Sequence, residues 1–257
     1  MAGRFVRYVY RVGGQFFNPL RWPGVPRELA QYFADYREFR RQWRDAGAQG
    51  RVEFEPIFFN RALNSPFDSH YTYQAAWATR LIAGRAPGSH VDVSSSVPFI
   101  AQLVGVVPVT MFEFRKPDIE LPNLTLREAT VVDLPLADQS IDSLSCMHVI
   151  EHVGLGRYGD PLDPAGMDRA LRELCRVVAP GGLLYLSVPV GRERVAFNAH
   201  RISDAEGVVR KVADHGLTLC TFAYVDDGGR FHDPARPEEA RGLDYGCGCF
   251  LFERPAQ

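Results

Sequence analysis

The chain has 257 residues, of which 46% are hydrophobic and 23% are charged, and its formal net charge is −2. A chain of this length and composition can bury one large core, with or without an extension, and is not intrinsically disordered or fibrous. The pI of about 6.4 gives no basic surface that would attract nucleic acid, so nucleic-acid binding is excluded from the expected functions.

The five cysteines indicate reduced, buried thiols in a cytoplasmic protein, because their number is odd and most of them lie in apolar stretches. Cys247-Gly-Cys249 looks like half of a metal site, but no second Cys/His pair stands at zinc-finger spacing. We interpret these two thiols as packing on one face of a strand, and we expect no metal.

No segment approaches the roughly 20 apolar residues that a membrane-spanning helix needs. Residues 1–12 alternate arginine with aromatic and aliphatic residues, so the apolar region of a secretory signal peptide is interrupted. We interpret this segment as a loosely packed lead-in, with peripheral contact at a membrane surface as the alternative.

Two helices are predicted before residue 85. From Pro26, apolar and aromatic residues recur at steps of three and four, and Gly47 and Gly50 end the pattern. We expect the aromatic stripe to pack on a core domain, or alternatively to line an acceptor pocket; its members are Leu29, Tyr32, Phe33, Tyr36, Phe39 and Trp43. A second helix is predicted over residues 66–83. Residues 1–84 are thus predicted to form a mainly helical extension and residues 85–257 an α/β domain.

From residue 90 the pattern alternates between strands and helices. Strands are predicted over residues 90–93, 107–112, 124–127, 141–147, 183–188, 217–224 and 248–253. Helices are predicted over residues 98–104, 164–178 (with Asp163 as N-cap) and 204–215, and residues 226–243 are predicted to be a charged loop. This alternation predicts a Rossmann-like α/β fold, with a mostly parallel seven-stranded sheet and helices on both faces.

The stretch over residues 90–98 organises this domain. A short apolar strand ends in Ser94-Ser95-Ser96 and leads directly into a helix, as in the nucleotide-binding turns of open α/β sheets. Such turns usually carry glycine, which lets the backbone approach the ligand, and serine side chains restrict that approach.

Several residues then follow in a recognisable order. Asp92 lies in the first predicted strand, and Glu113 lies at the end of the second. Two longer runs follow: residues 133–142 read Asp-Leu-Pro-Leu-Ala-Asp-Gln-Ser-Ile-Asp, and residues 176–182 read Arg-Val-Val-Ala-Pro-Gly-Gly. From about residue 88 to the C-terminus, the chain closely resembles the class I S-adenosylmethionine-dependent methyltransferases, whose D-L-P-F-x-D-x-S-F-D and x-L-x-P-G-G-x-L motifs are nearly intact. The runs at 148–164 and 197–201 resemble an uncharacterised branch of that superfamily, defined only as a domain of unknown function.

The resemblance implies S-adenosylmethionine as the cofactor and assigns residues to it. Ser94, Ser95 and Ser96 occupy the turn at the methionine moiety beside Asp92, for which a hydrogen bond to its own turn is the alternative. Glu113 resembles the acid that binds both ribose hydroxyls. The remaining implied residues are Thr130 and Val131 at the adenine, and Met147 and His148 at the end of the fourth strand. Thr130 stands where an acid is usual.

Methyl transfer is an in-line displacement in which the protein aligns the nucleophile and excludes water. A base is needed only if the acceptor must lose a proton, and His200 and His152 are the candidates, because imidazole titrates near neutral pH. The expected acceptor-binding residues are Glu151, Arg157, Tyr158, Asn198 and Arg201. Paired arginines in the loops after the fourth and fifth strands would suit an anionic or sugar-phosphate acceptor; solvated surface charge is the alternative.

Three functions follow from these patterns. The first is methyl transfer from S-adenosylmethionine to a small molecule or a saccharide. The second is an inactive methyltransferase-like domain that binds a partner or regulates, which the serine-filled turn and Thr130 favour. The third is a transferase that binds another nucleotide or a sugar nucleotide. Binding of S-adenosylmethionine distinguishes the first two.

Overall fold

The computed structural model describes residues 23–54, 56–57 and 67–256, so the predicted lead-in at residues 1–12 lies outside the described residues. The chain divides into two compact units, Met1–Phe67 and Asp68–Gln257. The sequence predicted a boundary near residue 84. Helix Ser69–Arg85, which was assigned to the extension, belongs to the second unit because Trp77, Ala78 and Ile82 on it are buried there.

The first unit contains helix α1, Val25–Asp45, which starts after Gly24 and carries Pro26 in its first turn. The predicted aromatic stripe lies on this helix. Tyr32 stacks on Tyr36 with ring centroids 6.1 Å apart, and Phe54 meets Tyr32 edge-on at 5.2 Å. The predicted helix is therefore confirmed, whereas its packing on the core domain stays a prediction.

The second unit is built on an eight-stranded sheet, in the order β3-β2-β1-β4-β5-β10-β8-β9. The strands β1 to β5 pair in parallel, and β10 is antiparallel to both β5 and β8. Their bounds are β1 His90–Val93, β2 Val109–Glu113, β3 Leu124–Glu128, β4 Ile141–Met147, β5 Val178–Val190, β8 Thr218–Val225, β9 Phe231–Ala235 and β10 Gly246–Glu253. The predicted mostly parallel α/β sheet is confirmed, with one strand more than expected.

The additional strand corrects the prediction for residues 226–243. This segment contains β9 and a 3-10 turn, Pro237–Ala240, in place of a loop throughout. β9 pairs with β8 at the sheet edge, where Tyr224 stacks on His232 at 4.5 Å. An edge strand that is mostly solvated and carries Pro234 lacks the apolar alternation by which strands are recognised.

Helices cover both faces of the sheet. On one face, Leu171 of α4 and Val208 of α5 belong to one core cluster; on the other, Trp77 of α2 and Phe99 of α3 belong to a second. The helices of this unit are α2 Ser69–Arg85, α3 Val97–Leu103, α4 Gly166–Val177 and α5 Ala205–Ala213, and a separate ribbon pairs β6 Arg194–Ala196 with β7 His200–Ile202. No helix in the described part of the chain is both long and apolar enough to cross a membrane.

The run at 133–142 serves the scaffold. Arg176 of α4 donates to the carbonyl oxygens of Leu136 at 2.9 Å and Leu134 at 3.2 Å. Glu173 accepts from the backbone N–H of Leu134 at 2.8 Å and binds Arg176 through both carboxylate oxygens. The motif therefore fastens the loop between β3 and β4 to α4.

The start of α4 differs from the prediction. Asp163 was expected to cap this helix, but the helix begins at Gly166 and its N-cap position is Ala165. The Asp163 carboxylate instead accepts from the backbone N–H of Ala165 at 3.0 Å and pairs with Arg169. Asp163 thus orders the loop before the helix.

Candidate functional site

A cavity of about 510 Å³ opens at the carboxyl ends of β1, β2 and β4. This is the edge of a parallel sheet at which ligands bind in open α/β folds. Five residues predicted to bind cofactor and two predicted to bind or act on the acceptor line it, namely Ser94, Glu113, Thr130, Val131, His148, His152 and Tyr158. Other lining residues, which the sequence analysis did not select as site residues, include Phe114, Arg115, Val149, Asp160, Asp163 and Arg169.

Two of the lining residues share an unusual backbone conformation. Ser94 follows β1 directly and His148 follows β4 directly, and each has φ of +57°. This left-handed region disfavours residues with a Cβ and is enriched at functional sites. The Ser94 hydroxyl donates to the carbonyl oxygen of Phe112 at 3.3 Å, so serine occupies the glycine-like position with its side chain partly satisfied.

Asp92 lies beneath the turn and does not line the cavity. Its carboxylate accepts from the Ser95 N–H at 3.0 Å, from the Ser95 hydroxyl at 2.6 Å and from the Ser145 hydroxyl. Complete burial raises its pKa to about 6, against the lowering effect of these hydrogen bonds. The Ser95 hydroxyl accepts from the Met147 N–H at 3.0 Å. Asp92, Ser95 and Met147 thus join the ends of β1 and β4, in agreement with the alternative in which Asp92 binds its own turn.

The buried network continues to His90, which the sequence analysis did not select. The Nε2 atom of His90 lies 2.8 Å from the Ser145 hydroxyl, and Nδ1 lies 2.7 Å from the Ser143 hydroxyl. Because Ser145 donates to Asp92, we assign the His90 proton to Nε2, with Nδ1 accepting from Ser143. Burial lowers the pKa of His90 to about 3, so the ring is neutral. In the sequence, this network could be recognised from a histidine in the apolar strand β1 together with Ser143 and Ser145 at alternate positions of β4.

Glu113 ends β2 at the wall of the cavity. Its Oε1 atom accepts from the backbone N–H of Phe114 at 2.8 Å. Within the described part of the chain, Oε2 receives no hydrogen bond from protein. Thr130 and Val131 face the same cavity from the turn after β3, where Thr130 bridges to Asp133. Glu113, Thr130 and Val131 thus line the cavity from the end of β2 and from the turn after β3.

A histidine-rich cluster forms the other wall. The Nδ1 atom of His148 lies 3.2 Å from Glu151 Oε1, and the Nε2 atom of His152 lies 3.6 Å from the same oxygen. Glu151 is fully buried, and neither of its carboxylate oxygens accepts a hydrogen bond from a residue that the structure describes. Glu151 is thus a carboxylate held between two imidazoles beneath the cavity surface, not a rim residue that contacts acceptor.

His152 and His200 differ in their access to the cavity. His152 lines it, and its Nδ1 lies 2.6 Å from the carbonyl oxygen of Ala199, so Nδ1 carries a proton. His200 lies behind it, with ring centroids 6.5 Å apart, and packs on Tyr245 at 4.8 Å. Partial burial lowers the pKa of His200. Of the two proposed bases, the structure puts His152 at the cavity.

Four other predicted residues do not reach the cavity wall. Arg201 donates to the carbonyl oxygens of Val153 at 2.6 Å and Asp163 at 3.2 Å, among others, and so fastens the loop before α4. Arg157 donates to the carbonyl of Ala199 at 3.1 Å. Ser96 is the N-cap residue of α3, and Asn198 is exposed on the β6–β7 turn. Their polar groups serve backbone atoms or solvent, which residue type alone could not distinguish from acceptor binding.

Two residues near His148 come from distant parts of the sequence. His70 lies in the first turn of α2, with its ring 5.7 Å from that of His148. Cys247 lies on β10, with its Sγ 3.1 Å from His148 Nε2. The local sequence predicts only packing for Cys247 and no functional role for His70, because no local pattern connects either residue to position 148.

Comparisons with known proteins agree with this architecture. A family model described as "Caenorhabditis protein of unknown function, DUF268" matches residues 131–213. The [4+2]-cyclase SpnF shares 18% identity at a TM-score of 0.51, over 70% of this chain and 81% of its own. The N-methyltransferase NodS from Bradyrhizobium japonicum WM9 shares 14% identity at a TM-score of 0.51, over 73% of this chain and 98% of its own. The chain has the class I methyltransferase fold.

No curated protein matches the sequence. At these identities the likeness shows the methyltransferase fold alone, and the structures that share it include a cyclase as well as an N-methyltransferase. Function must therefore be argued from the cavity and its residues.

Proposed function

We propose that this protein is an S-adenosylmethionine-dependent methyltransferase that acts on a small-molecule or saccharide-type acceptor. The observation that carries the proposal is the cavity at the sheet edge, which is lined by Ser94, Glu113, Thr130, Val131 and His148. These residues come from four successive strand ends or turns and were each selected for cofactor binding from the sequence. A volume of about 510 Å³ is typical of small-molecule and cofactor sites.

The residues fit the cofactor by their chemistry. Glu113 would accept hydrogen bonds from ribose hydroxyls, and its Oε2 atom receives no hydrogen bond from the described protein residues. Thr130 and Val131 would frame the adenine, and the turn at Ser94 would bind the methionine moiety. S-adenosylmethionine supplies an electrophilic methyl group on a sulfonium when bound.

The protein's own contribution is to align the acceptor and to exclude water. His152 is our candidate base for an acceptor that must lose a proton. Its Nδ1–H donates to the Ala199 carbonyl, which leaves Nε2 as the nitrogen that takes up a proton. Glu151 Oε1, 3.6 Å from that nitrogen, would stabilise the resulting imidazolium.

The test is calorimetric titration of the purified protein with S-adenosylmethionine and S-adenosylhomocysteine, repeated on Glu113→Ala and Glu128→Ala. Glu128 is the register partner of Glu113 on β3, is exposed and does not line the cavity, so it is a matched control. We expect micromolar binding that weakens tenfold or more (about 1.4 kcal/mol or more) in Glu113→Ala and stays unchanged in Glu128→Ala.

A folded wild-type sample that gives neither heat nor a thermal shift would contradict the proposal and leave the inactive binding domain. Tighter binding of a nucleotide without a sulfonium, such as a sugar nucleotide, would favour the third function. If the cofactor binds, transfer of an isotopically labelled methyl group to candidate acceptors, read by mass spectrometry, identifies the substrate class.

A further inference from the structure

Three side chains of the kind that bind transition metals meet beside the cavity. His70, His148 and Cys247 each offer one ligand atom, and these atoms lie within 4.8 Å of one another. They come from α2, from the residue after β4, and from β10, and all three belong to the same compact unit. The cluster was found by position in the fold, not by motif spacing.

The ligand atoms lie near the spacing of a tetrahedral metal site, and closure onto an ion requires a shift of about 1 Å or less per side chain. With the usual bond lengths of zinc to imidazole nitrogen and thiolate sulfur, adjacent ligand atoms lie roughly 3.3–3.6 Å apart. The Nε2 atom of His148 is already 3.1 Å from the Sγ atom of Cys247. The other polar neighbours of this thiol are farther away: Gln74 Oε1 at 3.9 Å and Cys249 Sγ at 4.0 Å. His148 and Cys247 are buried and His70 is half-buried, which gives an ion a route in.

A second observation points to a cation at this place. Glu151 is fully buried, and neither of its oxygens accepts a hydrogen bond from the described residues. Its Oε1 atom lies 3.2 Å from His148 Nδ1. A metal on Nε2 fixes the His148 proton on Nδ1, facing this carboxylate, as in the carboxylate–histidine–metal arrangements of many metal sites. The positive ion would also offset the cost of a buried carboxylate.

We propose that His70, His148 and Cys247 bind a zinc ion, with Glu151 as the positioning residue for His148. Two imidazoles and a thiolate favour zinc over the oxygen-preferring Mg²⁺ and Ca²⁺. Three protein ligands leave one position for water or another small ligand, as in zinc sites that keep an open coordination position. His148 also lines the cavity proposed for the cofactor, but the metal titration below is made without S-adenosylmethionine, so its failure and the failure of the proposed function are distinguishable.

The same atoms could be viewed as a Cys–His–Glu nucleophile, so the experiment distinguishes the two. Cys247 has no exposed surface, and a nucleophile must reach its substrate, whereas a structural or metal-binding thiol need not. This observation favours the metal.

The experiment uses the full chain, stripped of metal with a chelator and titrated with Co²⁺ and then with Zn²⁺. We expect one equivalent of Co²⁺ to bind, with a thiolate-to-cobalt charge-transfer band in the near ultraviolet that Zn²⁺ displaces. Cys247→Ser should abolish this band, His70→Ala should weaken metal binding tenfold or more, and Glu151→Gln should weaken it about 10- to 100-fold. Cys249→Ser is the matched control, and should keep the band.

Circular dichroism establishes that each variant is folded. Should Cys247→Ser fail to fold, His70→Ala decides, because its half-buried side chain lies on the first turn of α2. The proposal is overturned if folded wild-type protein binds no Co²⁺ or Zn²⁺, or if His70→Ala binds as tightly as wild type. It is also overturned if Cys249→Ser loses the band as Cys247→Ser does, or if iodoacetamide alkylates Cys247 rapidly and Zn²⁺ gives no protection.

Discussion

The two walls of the cavity are assembled in different ways. The cofactor wall, defined as Ser94, Glu113, Thr130 and Val131, comes from consecutive strand ends and turns within one stretch of the chain. The histidine wall, defined as the lining residues His148 and His152 together with the side chains packed behind them, His70, Glu151 and Cys247, comes from α2, the loop after β4 and the last strand. The first wall is the one proposed to bind the cofactor, and the second contains the side chains proposed to bind a metal ion.

This difference shows what a short sequence pattern can predict. Strand ends that follow one another in a parallel sheet must meet at one edge, so the sequence predicts that Ser94, Glu113, Thr130 and Val131 come together, and they line one cavity. The histidine wall depends on which helix and which antiparallel strand pack beside β4, and only the tertiary structure determines that.

The largest expected effect concerns Arg176, which holds the loop between β3 and β4 that carries Thr130 and Val131 of the cofactor wall. Arg176→Ala removes two hydrogen bonds to Glu173, at 2.8 and 2.6 Å, two to the carbonyls of Leu134 and Leu136, and one to the exposed Asp138 carboxylate at 2.5 Å. Since hydrogen bonds to charged groups contribute about 1.5–3 kcal/mol each when buried and less when partly exposed, we expect unfolding free energy to fall by about 3 kcal/mol. Urea denaturation of the wild type and the variant measures this change in the free energy of unfolding.

Arg172→Ala is the matched control, because Arg172 lies on the same helix and is exposed. We expect it to change stability by about 0.5 kcal/mol or less. If the two variants lose equal stability, the loop between β3 and β4 is not held by Arg176 and our account of the motif is wrong.

The second prediction concerns His90, whose network links β1 to β4 beneath both walls. Its pKa is lowered to about 3 in the folded state, against about 6.5 for an unperturbed histidine. Between these values the unfolded chain binds the extra proton, so the stability that His90 contributes is complete above pH 6.5 and is lost as the pH falls. The destabilisation caused by His90→Asn should therefore shrink by about 1.4 kcal/mol per pH unit, or about 2 kcal/mol between pH 6.5 and pH 5.

Urea unfolding at pH 7, 6 and 5 measures this difference. Leu144→Ala serves as the control, because Leu144 is a fully buried neighbour on β4 without a titratable group. The loss of unfolding free energy caused by Leu144→Ala should not change with pH. A His90→Asn cost that also stays constant would show that His90 is not held neutral by burial.

The smallest expected effect concerns the turn of the cofactor wall. Ser94 has φ of +57°, whereas Ser96 has φ of −63° and ψ of 139°. At position 94, glycine adopts the left-handed conformation without a steric cost. At position 96, where the backbone is extended, glycine only increases the conformational entropy that the chain loses on folding. Ser94→Gly should leave stability unchanged or raise it by up to about 1 kcal/mol, and should bind S-adenosylhomocysteine at least as tightly as wild type.

Ser96→Gly, the matched substitution two residues later, should cost about 0.5–1 kcal/mol. Thermal unfolding compares the two variants. Equal losses in both would mean that the backbone at Ser94 is not under strain.

Much of the fold could be predicted from the sequence, because strand and helix periodicities are local. The strands from His90 to Met147 and the helix over Gly166–Val177 were recognised by their apolar patterns. β9 was not, because its pairing at the sheet edge leaves it largely solvated. The apolar face of α2 packs within the second unit, which a helical period alone does not specify.

The candidate site shows the same limit at the level of side chains. Glu113 and Asp92 both follow from strand position, yet only Glu113 faces the cavity, and Asp92 is used by its own turn. Arg201 has the residue type of an anion-binding group but donates to backbone carbonyls. The direction of a polar side chain is set by buried donors and acceptors around it, and these are known only once the chain is folded.

The most direct measurement for the two-wall account is a crystal structure of the full chain grown with S-adenosylhomocysteine and Zn²⁺, with anomalous data collected at the zinc edge. We predict a nucleoside whose ribose contacts Glu113, and one anomalous peak among His70, His148 and Cys247. A nucleoside bound elsewhere, or no anomalous peak at those three side chains, would contradict the assignment of that wall.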